Sequence, residues 1–324
     1  MGAPSAALAS LRPELTDSVE RFDLAADRQG FIGYDILPVR GVDKASGTYG
    51  VVPLEQLLKH PNTRRSPGAG FGRGKFEFFD ASFATKEYGW EEAVDNEEAE
   101  LYSDFIDAEI ASAEICLDVI LRAAEQRVID KVLDAAVFTG DLTSALGTRW
   151  SVHASATPID DLVTARKLIW SRTGLWPDTL AISMFTLLDL QQCDQIKDEI
   201  KASGAGTQAM EGDVTPSMLA RLFGLKEVLV QGSAKNTAVQ TSDAAIESMW
   251  PVTKALLFRK NRTGNFKEPG LGRTLAWNKM GGVEPMFESY EEPQTDSIII
   301  RRRHRVSEHL IYSKCGHVLT NLAP

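Results

Sequence analysis

The chain has 324 residues, 43% of them hydrophobic and 25% charged, enough for one large domain or two ordinary ones around a packed core, which excludes a largely disordered polymer. Its formal net charge of -10 lacks the basic footprint with which a sequence-reading nucleic-acid binder neutralises phosphates, although an acidic wall is compatible with enclosing a mobile polyanion. Residues 1–15 hold no basic stretch followed by an apolar core, and no run of about 18 apolar residues occurs, so neither a secretory signal nor a membrane span is predicted.

From the amino end, residues 1–40 read as an arm: a short helical stretch over 14–28, then Phe31, Ile32, Tyr34, Ile36 and Leu37 running into Pro38. Over 39–63 apolar residues are sparse, and Pro53 to His60 admits a short helix or an extended connection. Pro67 with Gly68, Gly70, Gly72 and Gly74 forms a flexible turn feeding an extended strand punctuated by Phe76, Phe78 and Phe83. Exposed strand edges and apolar patches invite association, so a projecting hairpin this rich in aromatics requires a partner.

The strongest periodicity spans 97–137, where Ile106, Ile110, Ala113, Leu117, Ile120, Leu121, Ala124, Val128 and Val132 recur at steps of three and four and predict one amphipathic helix. Uninterrupted, it would exceed about 50 Å. Glu91, Glu92, Asp95, Glu97, Glu98 and Glu100 crowd its entrance, where the helix dipole favours acid.

Residues 141–282 predict a mixed α+β domain. Its parts are helices over 158–171 and 185–201, a charge-free strand over 179–184, and a helix to Gly224 with Thr215 at the N-cap and Pro216 in its first position. Strands follow over 227–231, 249–259 and 274–277, and the tail over 283–321 is mostly extended, with Arg301, Arg302 and Arg303 after three isoleucines.

Chemistry-bearing motifs fail on spacing. Aligned on Gly74-Lys75, a phosphate-binding loop would need Gly where Ala69 stands and Ser or Thr where Phe76 stands, and the dinucleotide pattern meets Arg73 or Lys75 where it needs glycine. His304 and His309 are five apart on an extended segment, not one helical turn apart as paired metal ligands would be. Cys116, Cys193 and Cys315 are far apart, without a CxxC or a His at finger spacing, and read as reduced packing residues; Cys193 has no nearby base, and no G-x-S-x-G elbow is present. No catalytic, cofactor or metal residue is predicted. The acidic 91–100 and basic 301–305 clusters read either as solvated faces or as groups that meet within or between subunits, with phosphate binding a third reading.

Arm, projecting loop, acid-capped long helix, mixed domain and extended return, in that order, resemble the major capsid proteins of tailed bacteriophages, the Hong Kong 97-type fold. The resemblance is carried by Phe79 to Asp95 with its Tyr88-Gly-Trp-Glu-Glu-Ala-Val-Asp, by Pro177 to Ser183 with the helix to Ile200, by Val214 to Gln231 with Ala234 to Ala238, and by Trp250 to Phe258, Gly272 to Trp277 and Ser297 to Asn321. It implies an N-terminal arm over 1–40, an E-loop region over 41–90, a P domain with a spine helix over 91–140, an A domain with some P-domain strands over 141–282, and returning P-domain strands over 283–324. It further implies a structural protein, not an enzyme, that self-assembles as hexamers and pentamers into an icosahedral shell around double-stranded DNA without reading its sequence.

Implied partners are other copies of the chain, a scaffolding protein, a portal and a decoration protein, with no membrane; the protein would be made in the host bacterial cytoplasm and end in the virion. Candidate contacts between subunits are Phe71, Phe76, Phe78, Phe79 and Phe83 in the E-loop, and Glu97, Glu98, Arg301, Arg302 and Arg303 among the charges. Lys75 and Lys86 lie near the loop, but no Asn and Glu align with them, so cross-linking is not predicted. The absence of a long helical leader points to a scaffold that is separate or already removed. The alternatives are an encapsulin-type compartment housing protein cargo and an enzyme with a site assembled from distant residues.

Overall fold

The computed structural model describes residues 10–11, 30–60, 63–65, 68, 70–74, 77, 79–97, 108–202, 214–238, 244–263, 268–280 and 285–324. Its first half runs β1 (Ser10–Leu11), α1 (Gly33–Ile36), β2 (Val39–Val42), β3 (Ser46–Val51), α2 (Leu54–Leu57), β4 (Phe79–Ala84), β5 (Lys86–Asp95), α3 (Ala108–Val132) and β6 (Thr143–Ala145). There follow α4 (Pro158–Thr173), β7 (Thr179–Ser183), α5 (Met184–Gln192), α6 (Asp194–Ala202), α7 (Pro216–Leu222), β8 (Glu227–Gln231), β9 (Ala234–Asn236), β10 (Ile246–Ser248), β11 (Lys254–Phe258), β12 (Gly272–Trp277), β13 (Met286–Glu292), β14 (Ser297–Leu310) and β15 (Gly316–Thr320).

The predicted long helix is present as α3, whose 25 residues at about 1.5 Å each give about 37 Å. Its apolar stripe serves two cores in succession. Ala113 and Leu117 pack with Val94, Phe287 and Ile300 beneath β5, β13 and β14, whereas Val128, Ile129 and Val132 pack with Ile36, Leu37, Trp250, Phe258 and Leu271. The helix stops at Val132 and not at 137, because the Asp134 carboxylate accepts the Ala136 N–H and its carbonyl accepts those of Val137 and Phe138, turning the chain so that Phe138 enters the second core. Residues 98–107, over which the helix was predicted to begin, lie outside the described residues, as does the helical stretch predicted over 14–28.

A second departure concerns the acids before the helix. Glu91, Glu92 and Asp95 lie on β5, which pairs antiparallel with β14 so that Glu91 stands opposite Arg301 and Glu92 opposite Ile300, while Asp95 at its end accepts the Glu97 N–H where residues 96 and 97 turn helical. Arg301 satisfies the Glu91 carboxylate across the strands, and Glu92 accepts from the Trp90 indole at 2.7 Å. Within the segment predicted as an arm, Ile32, Ile36 and Leu37 are buried in the second core, and β2 after it pairs parallel with β12.

Two principal sheets result. In the six-stranded sheet β14 is the shared member, with β5 along one side and β13 and β12 end to end along the other; β1 extends the sheet beyond β13 and β2 beyond β12. The five-stranded sheet has the order β6-β15-β11-β7-β8. Its two faces follow the period-two alternation of a strand: Leu180, Ile182, Ala255, Leu257 and Leu319 face α4, α5, α6 and α7, and Ala181, Leu256, Phe258 and Val318 face α1 and the end of α3. The sheets are not successive in sequence, since β12 joins the first and β15, after β14, returns to the second.

The helix predicted over 185–201 is broken at Cys193, which is extended at ψ 129°; Asp194 donates its N–H to the His153 carbonyl and the Cys193 thiol points at the Trp150 carbonyl. The strand predicted over 249–259 begins only at Lys254, because Trp250 turns inward, where its indole donates to the Lys254 carbonyl at 2.8 Å. Thr215 does cap α7, accepting the Met218 N–H, with Pro216 in the first helical position.

Leu117, fully buried in the core between α3 and β14, should cost about 2–5 kcal/mol when truncated in Leu117→Ala, read as a shift of the denaturant midpoint.

Candidate functional site

Strand alternation splits the charges of β14 between two faces. Arg302 and His304 turn toward α3: Arg302 is buried with its guanidinium 4.8 Å from the Phe287 ring, and His304 lies 3.5 Å from Arg127, whose guanidinium covers Tyr88 at 3.7 Å. Burial pushes the His304 imidazole down to about 3, helped by the positive charges of Arg127 and Arg302, so it is neutral at physiological pH.

Arg301 and Arg303 turn the other way and share one carboxylate. Arg301 reaches Glu288 at 2.6 Å and Glu91 at 3.2 Å; Arg303 reaches the other Glu288 oxygen at 2.6 Å and Glu87 at 3.0 Å. Burial alone would raise the Glu288 pKa, but the hydrogen bonds and charges of Arg303 and Arg301 reverse this and hold it below the usual carboxylate range. The acidic and basic clusters therefore meet inside the subunit, across strands. Gly89, opposite Arg303, leaves the floor open, and a groove of about 460 Å³ lined by Glu87, Gly89, Trp90, Glu91, Arg301 and Arg303 runs along it. Among the described residues β5 has no second strand partner, and its charged side chains disfavour indiscriminate strand addition at that edge.

The second candidate surface is the β3–β4 hairpin with its loop. No residue of either strand is buried, and a two-stranded hairpin is marginal in water without a covered face. It is tethered at one end where Thr85 bonds the Ala45 carbonyl, along one side where the Tyr49 ring meets His309 edge-on at 6.4 Å, and beyond β3 where the Tyr312 hydroxyl donates to the Val52 carbonyl. Phe83 lies half-buried against Tyr49, whereas Phe79 and Phe71 are 62% and 74% exposed, with Arg65 4.6 Å from the Phe71 ring. Phe76 and Phe78 lie outside the described residues, as does Glu98; Glu97 is exposed just after β5, its N–H on the Asp95 carboxylate.

A third surface was not anticipated from sequence. Trp170 and Trp176 stack at 5.8 Å and are about half exposed, next to Gly174, whose Cα faces Leu58 so closely that a Cβ would meet it at 2.8 Å. On α5, Met184, Phe185 and Leu188 are exposed beside the buried Thr186, Leu187 and Leu190. A weak sequence signal was available, namely apolar residues off the buried stripe of each helix.

Nothing in these surfaces is arranged for bond-making. Among the described residues no group of His, Cys, Asp or Glu is placed to hold a metal ion, and no helix is long and apolar enough to cross a membrane. The cysteines are buried, and burial pushes the thiols of Cys116, Cys193 and Cys315 up to about 12, 11 and 12, opposite to the shift a nucleophile needs.

No protein-family model and no curated protein matches the sequence. Solved structures do. The chain is similar to a phage-related protein from Bordetella bronchiseptica, with 20% identity and a TM-score of 0.69 over 97% of this chain and 98% of that one. It is similar to a chain of the capsid of Cyanophage P-SCSP1u, with 11% identity and a TM-score of 0.59 over 98% and 90%. It is also similar to a chain of the encapsulin complex of Synechococcus elongatus, with 11% identity and a TM-score of 0.53 over 91% and 89%. The matches run almost end to end, so the chain has the α+β fold of these proteins.

Glu288→Ala strands two arginines and should destabilise the fold by on the order of 3 kcal/mol, while Glu87→Ala at the half-exposed rim should stay within about 1 kcal/mol in the same denaturation assay. Because the folded pKa of His304 is depressed, its contribution is present above the unfolded value near 6.5 and declines as pH falls below it, opposite in sign to that of Glu125, so the thermal midpoint of His304→Gln should rise relative to that of the unmodified chain on going from pH 7 to pH 5.

Proposed function

We propose that the chain is the major capsid protein of a tailed bacteriophage, of Hong Kong 97 type, and that its function is geometric and not catalytic. The observation that carries this reading is the end-to-end likeness to a phage-related protein and a phage capsid chain. On this reading residues 1–40 are the arm, 41–90 the E-loop region, 91–140 and 283–324 the P domain with α3 as spine helix, and 141–282 the A domain with some P-domain strands. Copies form hexamers and pentamers of an icosahedral shell around double-stranded DNA, assembled in the host bacterial cytoplasm with a scaffolding protein, a portal and a decoration protein.

The hairpin supports the reading physically. Its strands have no buried face of their own and its aromatics are exposed, so a neighbouring copy supplies the cover the monomer lacks. Phe71, Phe76, Phe78, Phe79 and Phe83 are the proposed contacts there. Glu97, Glu98, Arg301 and Arg303 are proposed at a charged contact, where a network already oriented within one subunit presents a defined pattern to the next, whereas Arg302, buried against Phe287 within the subunit, is not available to it. The second reading is an encapsulin-type shell with protein cargo, favoured by the likeness to the Synechococcus elongatus chain.

Expression of the chain with and without its neighbouring phage genes, followed by negative-stain electron microscopy, tests the proposal. Uniform closed shells or capsomer rings are expected, and shells whose contents are nuclease-sensitive DNA separate the first reading from the second; a homogeneous small oligomer under every condition would refute both. Replacing residues 63–77 by a short Gly-Ser linker should leave the monomer folded by circular dichroism and abolish shells, and an unchanged shell yield would remove the hairpin loop from the assembly role.

A further inference from the structure

Two apolar surfaces lie at opposite ends of one rigid strand. All five residues of β7 are buried, and at about 3.3 Å per residue the strand spans about 17 Å. Just before it stand Trp170 and Trp176, stacked at 5.8 Å and about half exposed, with the exposed Leu58 against Gly174 in the turn that links them. Just after it, on the first two turns of α5, stand Met184, Phe185 and Leu188, also about half exposed. Exposed apolar surface grouped in this way marks a contact site more often than apolar residues scattered singly.

The rims of the two surfaces differ in charge. Residues 166–176 carry Arg166, Lys167 and Arg172 and no acid, and the Arg166 guanidinium lies 5.7 Å from the Trp176 ring. Residues 184–202 carry Asp189, Asp194, Asp198 and Glu199 against Lys197 and Lys201. Asp189 follows Leu188 directly; the His153 ring lies 3.1 Å from its carboxylate, and the His153 carbonyl accepts the Asp194 N–H. Gln195 draws Asp160, from the first turn of α4, to the same end by donating to its carboxylate at 3.0 Å. One end is therefore apolar with a cationic rim, the other apolar with an acidic rim.

We propose that these ends are the two halves of one head-to-tail contact, the tryptophan end of one copy docking on the α5 end of the next; this deepens the shell reading and rests on it. A second copy is the occupant because the complementary surface is on the chain itself. Docking tryptophan end on tryptophan end would set Arg166, Lys167 and Arg172 against their own equivalents, and like charges across an interface suppress pairing. Head-to-tail docking sets them against Asp160, Asp189 and Asp194 instead. With β7 between the ends, each copy can hold two neighbours at once, and a heterologous contact of this kind closes into a ring or runs on as an open chain. A fully covered aromatic buries roughly 150–250 Å², so the half-exposed tryptophans with Leu58 offer on the order of 300 Å², short of the roughly 800 Å² per partner of a stable pair. The charged rim has to supply the rest, which makes each contact modest and salt-sensitive.

The test is sedimentation velocity of the full chain over a range of concentrations at about 0.05 M and about 0.5 M salt, with Trp170→Glu and Phe185→Glu alongside. The unmodified chain is expected to associate beyond the dimer, less so at high salt, and each variant to self-associate about tenfold more weakly or worse. Mixed in equal amounts, the two variants should form a one-to-one dimer that neither forms alone, because Phe185→Glu keeps its tryptophan end and Trp170→Glu keeps its α5 end. A dimer of Phe185→Glu by itself, association that strengthens with salt, or an unmodified chain and a variant mixture that both stay monomeric at every concentration overturns the proposal. Circular dichroism checks that the variants are folded; if either is not, the exposed positions Lys167→Glu and Leu188→Lys replace them with the same expectations. Closed shells from a chain carrying both substitutions would overturn this contact and leave the shell reading standing, whereas head-to-tail rings that never close into shells would do the reverse.

Discussion

Strand β14 is the constraint on which the rest of the molecule depends. Along its length it pairs with β5 on one side and with β13 and β12 on the other, and its alternation sends Ile300, Arg302, His304 and Val306 toward α3 while Arg301 and Arg303 face away. A shift of one residue in any of these registers would bury Arg301 and Arg303 under the helix and expose Ile300. The shared Glu288 works against such a shift, because each of its oxygens takes one guanidinium in the observed register only.

The helix α3 turns this local order into a molecule of two sheets. Its first half closes the core of the six-stranded sheet and its second half closes one face of the five-stranded sheet, with Arg122, Glu125 and Arg127 between them, bound to Ala234, to residues 32–33 and to Glu308 respectively. A polar middle flanked by apolar ends braces three separate segments where a continuous apolar stripe would only pack them. The surfaces left over are those that a lone subunit serves poorly: a hairpin without a buried face, exposed aromatics on its loop, and a tryptophan pair beside Leu58. On the proposed reading these are the parts that neighbours cover, and specificity comes from many modest contacts fixed in orientation by rigid charge networks.

The long helix, α4, α5 with α6, α7 with its Thr215 cap and β8 were legible because periodicity and capping are local signals that need no partner. What misled was also local. Glu91 looked like one more acid at the mouth of a helix because its actual partner, Arg301, is 210 residues away. Likewise the burial of residues 32–37 was not legible because their apolar contacts, Trp250 and Phe258, lie far along the chain. The exposed Trp170 and Trp176 were passed over because an apolar residue on a helix carries no mark of which side the sheet will cover.

By itself the sequence determined the helical character of α3, α4, α5, α6 and α7, that no catalytic or metal motif is spaced for use, and that an aromatic, glycine-rich loop precedes a long helix, since all of these are properties of neighbouring residues. Only the tertiary structure decided that β15 returns to the sheet of β7 and β11, that Glu288 joins Arg301 to Arg303, and that Glu125 meets Gly33. Each of these brings together groups separated by many residues, and their energy exists only once burial has excluded water and the chain has closed the intervening loops.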